Sequence, residues 1–244
     1  MVQAIFENNT TKIDSLKTSL SPYRWATYLA HGEGDPIMAI RLYHWNTQLS
    51  QSLQVYLHGW EVCLRNRLSA FLAWKYSTSE WAFNTKLLRS LPGKDEAKIR
   101  EAIKRQTDLR GKGYVTTAAV VADLSAGIWV SLLSKACEIP LAMRGTPGGN
   151  LYRIFPNARN SSRDEYWSKC DRILSVRNRV AHYEPVLHLA LPEIFDEMQT
   201  VLGAMCATTQ EFFEVASDFP SVFGNRPKLI PAAVENAAAQ CAAL

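Results

Sequence analysis

From Met38 onward apolar residues return in steps of three and four, at Met38, Leu42, Trp45, Leu49, Leu53, Tyr56, Trp60, Leu64, Leu68 and Phe71. That spacing holds one stripe of a helix against a core and predicts one long amphipathic helix near residues 35-76. Asp35-Pro36 suits its start, because Asp accepts a bond from a first-turn N–H and Pro at the first position wastes no donor. Ser21-Pro22 opens a shorter helix that stops near His31-Gly32-Glu33-Gly34. Pro92 to Arg110 interleaves opposite charges as a solvated surface helix does. Thr116 or Thr117 then caps an apolar helix through Leu133, after which Pro140, Gly145, Pro147, Gly148 and Gly149 mark a loop of about fifteen residues. A further helix spans about Ser162 to His182, Pro185 stops it, and Pro192 opens a last helix to about Ser217. No segment alternates with a period of two between hairpin turns, so the pattern predicts an all-α fold.

Composition narrows the class without changing the fold. With 47% hydrophobic and 20% charged residues among 244, the chain suits a globular protein rather than a disordered or fibrous one. Its most apolar run, Ala118 to Leu133, is broken by Asp123, Ser125 and Gly127. It falls short of the roughly 20 apolar residues that a membrane span needs. The N-terminus has no basic stretch followed by an apolar one, so the expectation is a cytoplasmic protein with no membrane partner. Cys63, Cys137, Cys170, Cys206 and Cys241 lie far apart with no C-x-x-C pair. Reduced thiols are expected, with neither a disulfide framework nor a metal site.

Charge is where the picture changes. Between Arg153 and Arg179 seven basic residues stand against three acidic ones, an excess equal to the +4 of the whole chain. Such a stripe, which includes Arg172, is either the footprint of a phosphate-bearing partner or a solvated helix face. Within it, Arg177-Asn178-Arg179-Val180-Ala181-His182 joins a cation and an amide to the one side chain that titrates near neutrality. Asn178 and His182 are four apart and share a helix face. Arg177 is some 140° away around the helix, with a side chain long enough to swing toward them. Pro185 should end the helix just after His182, where the negative end of the dipole favours imidazolium. Arginine beside such a histidine suits a phosphodiester site, the first offsetting charge on phosphorus and the second moving a proton. Spacing alone is weak evidence. With sixteen arginines and five histidines, chance also produces Arg24-x6-His31, whose arginine is followed by Trp25.

The segment RNRVAHYEP resembles the R-N-R-x-A-H-x-E-P signature of the Abi-like (abortive infection) proteins, a branch of the HEPN superfamily. The likeness extends through GDPIMAIRLYHWNTQLSQSLQVYLHGWEVCLRNRL, VADLSAGIWVSLLS and LYRIFPNAR, over roughly Ser21 to Phe213. The resemblance implies an HEPN-like helical bundle with additional helices. The chain reads as a single domain with a core at about 21-218, and the Pro- and Ala-rich end at about 219-244 reads as a loosely held C-terminal tail. It implies a metal-independent endoribonuclease without a cofactor, active as a homodimer with a composite site and serving as an abortive-infection or toxin effector in phage defence. A protein or small-RNA antitoxin belongs to the same expectation. Arg177 would bind the scissile phosphate, Asn178 would be the polar residue beside it, and His182 would be the general acid or base. Attack by the ribose 2′-OH would leave a 2′,3′-cyclic phosphate and a 5′-OH.

One position departs from the pattern: many relatives carry a second histidine where this chain has Tyr183. Two-histidine chemistry then needs His182 from each of two subunits. Glu61, Arg65, Asn66 and Arg67 also fit the family; Arg65 is a second phosphate contact or, with Glu61, an i,i+4 pair that holds the bundle. Glu184 orients an imidazole or arginine, or bridges to Arg179. Tyr183 stacks on a base or is half-buried at the helix end. A non-catalytic RNA-binding HEPN module and a helical protein-interaction protein remain the alternatives to the enzyme.

Overall fold

The computed structural model describes residues 2–144, 149–158 and 162–228, and every regular element among them is helical. In chain order these are α1 (Thr10–Leu20), α2 (Pro22–His31), α3 (Pro36–Lys75), α4 (Thr85–Ser90), α5 (Gly93–Arg110), α6 (Thr117–Asp123), α7 (Ala126–Ser131), α8 (Lys135–Leu141), α9 (Leu151–Ile154), α10 (Arg163–Ala181), α11 (Leu191–Met205), α12 (Ala207–Ala216) and α13 (Phe219–Gly224). 3₁₀ turns lie at Gln3–Ile5, before α1, and at Trp81–Phe83, between α3 and α4. No helix among the described residues is long and apolar enough to cross a membrane.

The long helix forms where the stripe predicts it. The Asp35 carboxylate accepts the Ile37 N–H at 2.8 Å, and Pro36 occupies the first helical position. Forty residues later Ser77 adopts a left-handed φ of 52°. The Ser77 and Thr78 amides then close back onto the carbonyls of Trp74 and Ala73, a Schellman cap. All ten apolar positions of the stripe are buried, none more than 4% exposed.

Two compact units share this helix. The first holds the described residues of 1–52 together with 218–228. Its core contains Trp25, Tyr28, Leu42, Trp45 and Phe219. The Tyr28 and Tyr43 rings meet edge to face at 4.9 Å, and the Trp45 indole donates to the Val222 carbonyl at 2.8 Å. The segment expected to be a loose tail thus begins with α13, whose Phe219 is buried; from 229 onward the tail lies outside the described residues.

The second unit is Leu53–Ser217, where α10 packs on α11 and α7, α11 on α12, and α5 on α6 and α7. Trp60, Trp81, Trp129, Tyr56 and Phe155 are its largest fully buried side chains. The buried Cys137 and Cys170 thiols are pushed up to about 11 and about 12 by loss of hydration, so both stay protonated and inert at neutral pH.

Several expectations change. The helix read through Leu133 is two helices, since Leu124 and Ser125 are extended and Arg105 pairs with Asp123 at the break. The last long helix breaks at Cys206, extended at φ −163°, where α11 ends and the weak helix formers Thr208 and Thr209 begin α12. Helix α5 is more than a solvated surface: Asp95, Ile99, Ala102 and Gln106 are buried, and Ser131 donates to the Asp95 carboxylate at 2.9 Å. Helix α1 has no buried residue, so no apolar stripe announces it. The first part of the loop expected after Leu133 is helical instead, since α8 runs over Lys135–Leu141 with Pro140 inside it, and residues 145–148 lie outside the described set.

Candidate functional site

The signature segment occupies the end of α10. His182 is the C-cap residue, and its N–H reaches the Asn178 carbonyl at 2.9 Å. Tyr183 follows with a left-handed φ of 56°. Its amide bonds to Val180 O at 3.1 Å and that of Glu184 to Arg179 O at 2.8 Å. This is a second Schellman cap, built with tyrosine where glycine is usual. Asn178, His182, Tyr183 and Glu184 are exposed, Tyr183 by 78%. A tyrosine held left-handed without being buried carries strain of about 1 kcal/mol. Tyr183→Gly should therefore raise the stability of the fold by about that amount, read as a higher urea midpoint; an unchanged or lower midpoint contradicts the assignment of strain.

Arg177 turns away from the cap and toward α3. Its Nε donates to Glu61 Oε2 at 2.9 Å, across 116 residues of sequence. The arginine side chain keeps 32% exposure, so it is anchored and still reachable. This replaces the expected Glu61–Arg65 pair: Glu61 binds the arginine of α10 rather than its neighbour one turn along α3. A guanidinium carries five N–H donors, so the bond at Nε leaves others to meet an anion. On the following turn Arg179 donates to the Pro185 carbonyl at 3.2 Å and lies 3.7 Å from Glu184 Oε2. Of the alternatives for Glu184, the structure favours the bridge to Arg179. The half-buried reading of Tyr183 is set aside by its exposure.

Arg172 is spoken for on the far side of α10, where Glu197 of α11 takes it at two points and Ser168 accepts a third bond at 2.9 Å. Glu197 holds the guanidinium proton more firmly than usual. Arg163, 4% exposed, pairs with Glu138 and Asp164, and Lys169 pairs with Glu165. Arg153 lies flat over Trp74, 3.4 Å from the ring centre. Arg159 lies outside the described residues. The charge stripe of the sequence is therefore largely matched by carboxylates. That is why a surplus of cations along a segment overstated the field available to a polyanion.

Arg65 sits one turn after Glu61 and lines a cleft of about 420 Å³ between α3 and α6. Its Nε is buried with no hydrogen-bond partner. Glu80 also lines the cleft, held by the Thr117 N–H at 2.9 Å. Motif reasoning missed Glu80, a lone acid in a turn, although the apolar Ala118, Val121 and Ala122 facing Arg65 stand at helical spacing. No group of three His, Cys, Asp or Glu side chains that could hold a metal ion occurs among the described residues.

The class these observations define is an all-helical protein with a paired arginine and an exposed helix-end histidine. No family model matches the chain, and neither does any curated protein or solved structure.

Proposed function

We infer that the protein is a metal-independent endoribonuclease of the HEPN type, with its chemistry on Arg177, Asn178 and His182. The observation that carries this reading is the Arg177–Glu61 bond, which fixes an accessible guanidinium five residues before an exposed histidine on a rigidly capped helix end. Positioned donors of this kind act on charge that develops in a transition state.

In this reading Arg177 stabilises the charged phosphorus centre while one imidazole removes the proton of the 2′-OH. The oxygen attacks the adjacent phosphorus, the bond to the 5′-oxygen breaks, and a second imidazole returns a proton to the leaving oxygen. With Tyr183 beside it, His182 is the one histidine of the segment RNRVAHYEP, so the second imidazole comes from another copy and the active form is a homodimer with a composite site. The biological role that goes with this chemistry is an abortive-infection or toxin effector in phage defence, acting in the cytoplasm and restrained by an antitoxin.

The test uses the purified full chain, EDTA, and a defined single-stranded RNA beside a DNA of the same sequence. Cleavage of RNA alone, leaving 2′,3′-cyclic phosphate and 5′-OH ends by mass spectrometry, is the expected result. Uncut RNA, equal cutting of DNA, or dependence on an added metal sinks the reading. RNA retained but uncut marks the binding module, and no retention marks the protein-interaction alternative.

A further inference from the structure

Three walls of unlike chemistry face one another in the cleft between α3 and α6. The α3 wall is polar: Arg65, Asn66 and Ser69 lie within one turn of helix. The α6 wall is apolar, with Ala118, Val121 and Ala122 spaced three and four apart to form a smooth strip. Glu80 stands between them on the turn that follows α3.

Glu80 and Ser69 are each held by a bond that leaves them able to meet a ligand. Thr117 N–H takes Glu80 Oε2 at 2.9 Å and so holds the carboxylate in place while its other oxygen remains an acceptor. Ser69 Oγ accepts the Trp81 indole N–H at 3.1 Å, which leaves the hydroxyl proton to donate. Arg65 Nε is buried without a partner. A buried donor left unmatched costs about 1–3 kcal/mol, so it marks a place where an acceptor belongs. At about 420 Å³ the space falls within the range of small-molecule sites.

We propose that this cleft binds a guanine base. A flat ring suits a slot with one apolar wall, and the polar groups select which ring. Guanidinium pairs with the two-acceptor edge of guanine, O6 and N7. The adjacent N1–H and N2–H₂ donors of the same base match a carboxylate. Adenine and cytosine each place a donor amine where guanine has O6 or nothing to offer Glu80 in that register, and uracil lacks the second donor. Asn66, with both a donor and an acceptor, fits either edge.

Arg65 follows Glu61 by one turn, about 6 Å along the helix axis, and Glu61 carries Arg177. Glu61 and Arg65 thus share one face of α3, the face from which Arg177 is held and along which the cleft opens. As a determinant of RNA cleavage the proposal rests on the ribonuclease reading; as a guanine site it does not. The guanine can come from an RNA strand or from a free nucleotide, and the two are separable.

Calorimetric titration of the full chain with guanosine 5′-monophosphate, against the adenosine and cytidine monophosphates, tests the pocket itself. Binding at least about ten-fold tighter for the guanine nucleotide is expected, the scale of one two-point base contact. Glu80→Gln should erase that preference while its amide oxygen still accepts the Thr117 N–H. Arg65→Met should weaken the guanine nucleotide selectively. Equal affinities, or a preference unchanged in both variants, overturn the proposal.

Sequencing the ends left by a random single-stranded RNA pool distinguishes the sources. Enrichment of guanine at the cut that falls about ten-fold in Glu80→Gln assigns the site to RNA. Selective nucleotide binding without such enrichment assigns it to a free guanine nucleotide. Uncut RNA with selective nucleotide binding removes the ribonuclease and keeps the pocket. Cut RNA with neither selectivity nor enrichment removes the pocket and keeps the ribonuclease.

Discussion

His182→Ala should lower single-turnover cleavage of a defined RNA by about 100- to 10,000-fold, the range that a positioned general acid or base supplies. Arg177→Ala should lose about 100- to 1,000-fold through the missing donor to the transition state. His182 is exposed and caps α10 through its backbone, so alanine there disturbs little of the fold. Arg177 is coupled to Glu61, and removing it leaves a half-buried carboxylate without its cation. Circular dichroism and sedimentation of both variants should therefore accompany the rates. Wild-type rates in both, with the RNA chemistry intact, would move the active site elsewhere. Glu61→Gln offers a finer reading. The amide still accepts from Arg177 but no longer offsets its charge, so its effect should be smaller than that of Arg177→Ala.

Trp81→Ala carries the largest expected effect on stability. The indole is 1% exposed, meets Trp129 edge to face at 6.3 Å, and donates to Ser69. Truncating a buried tryptophan costs about 3–5 kcal/mol through lost transfer energy and the cavity left behind. About 1 kcal/mol of that range belongs to the aromatic pair. Urea unfolding should show the loss as a lower midpoint at constant slope. Trp81→Phe, which keeps a ring but not the indole N–H, should lose less. A cost below 1 kcal/mol for the alanine variant contradicts the packing described here. Because both substitutions remove the N–H that Ser69 accepts, and Ser69 lines the cleft with Arg65, both should alter nucleotide binding while differing in stability.

The long helix was legible because a single stripe of ten apolar residues from Met38 to Phe71 is buried throughout, and no proline after Pro36 interrupts the helix. The breaks at Leu124–Ser125 and at Cys206 were not, because apolar residues continue across both and only local backbone preference interrupts them. Asp95 shows the limit of charge patterning: its neighbours on α5 read as solvated, yet Ser131 makes its burial tolerable. In the candidate site, Arg177, Asn178 and His182 stand out because they are adjacent in sequence. The partners that fix their surroundings do not. Glu61 is distant in the chain, and Glu80 gains meaning only when Thr117 and Arg65 are brought beside it.

The bond between Glu61 and Arg177 also sets an order in time. A ribosome makes the carboxylate first and must extend the chain by 116 residues before the arginine exists. Contacts of such long range close late, after local helices have formed. In the ribonuclease we propose, a nascent chain that has not yet reached Arg177 would be harmless to the message from which it is being read.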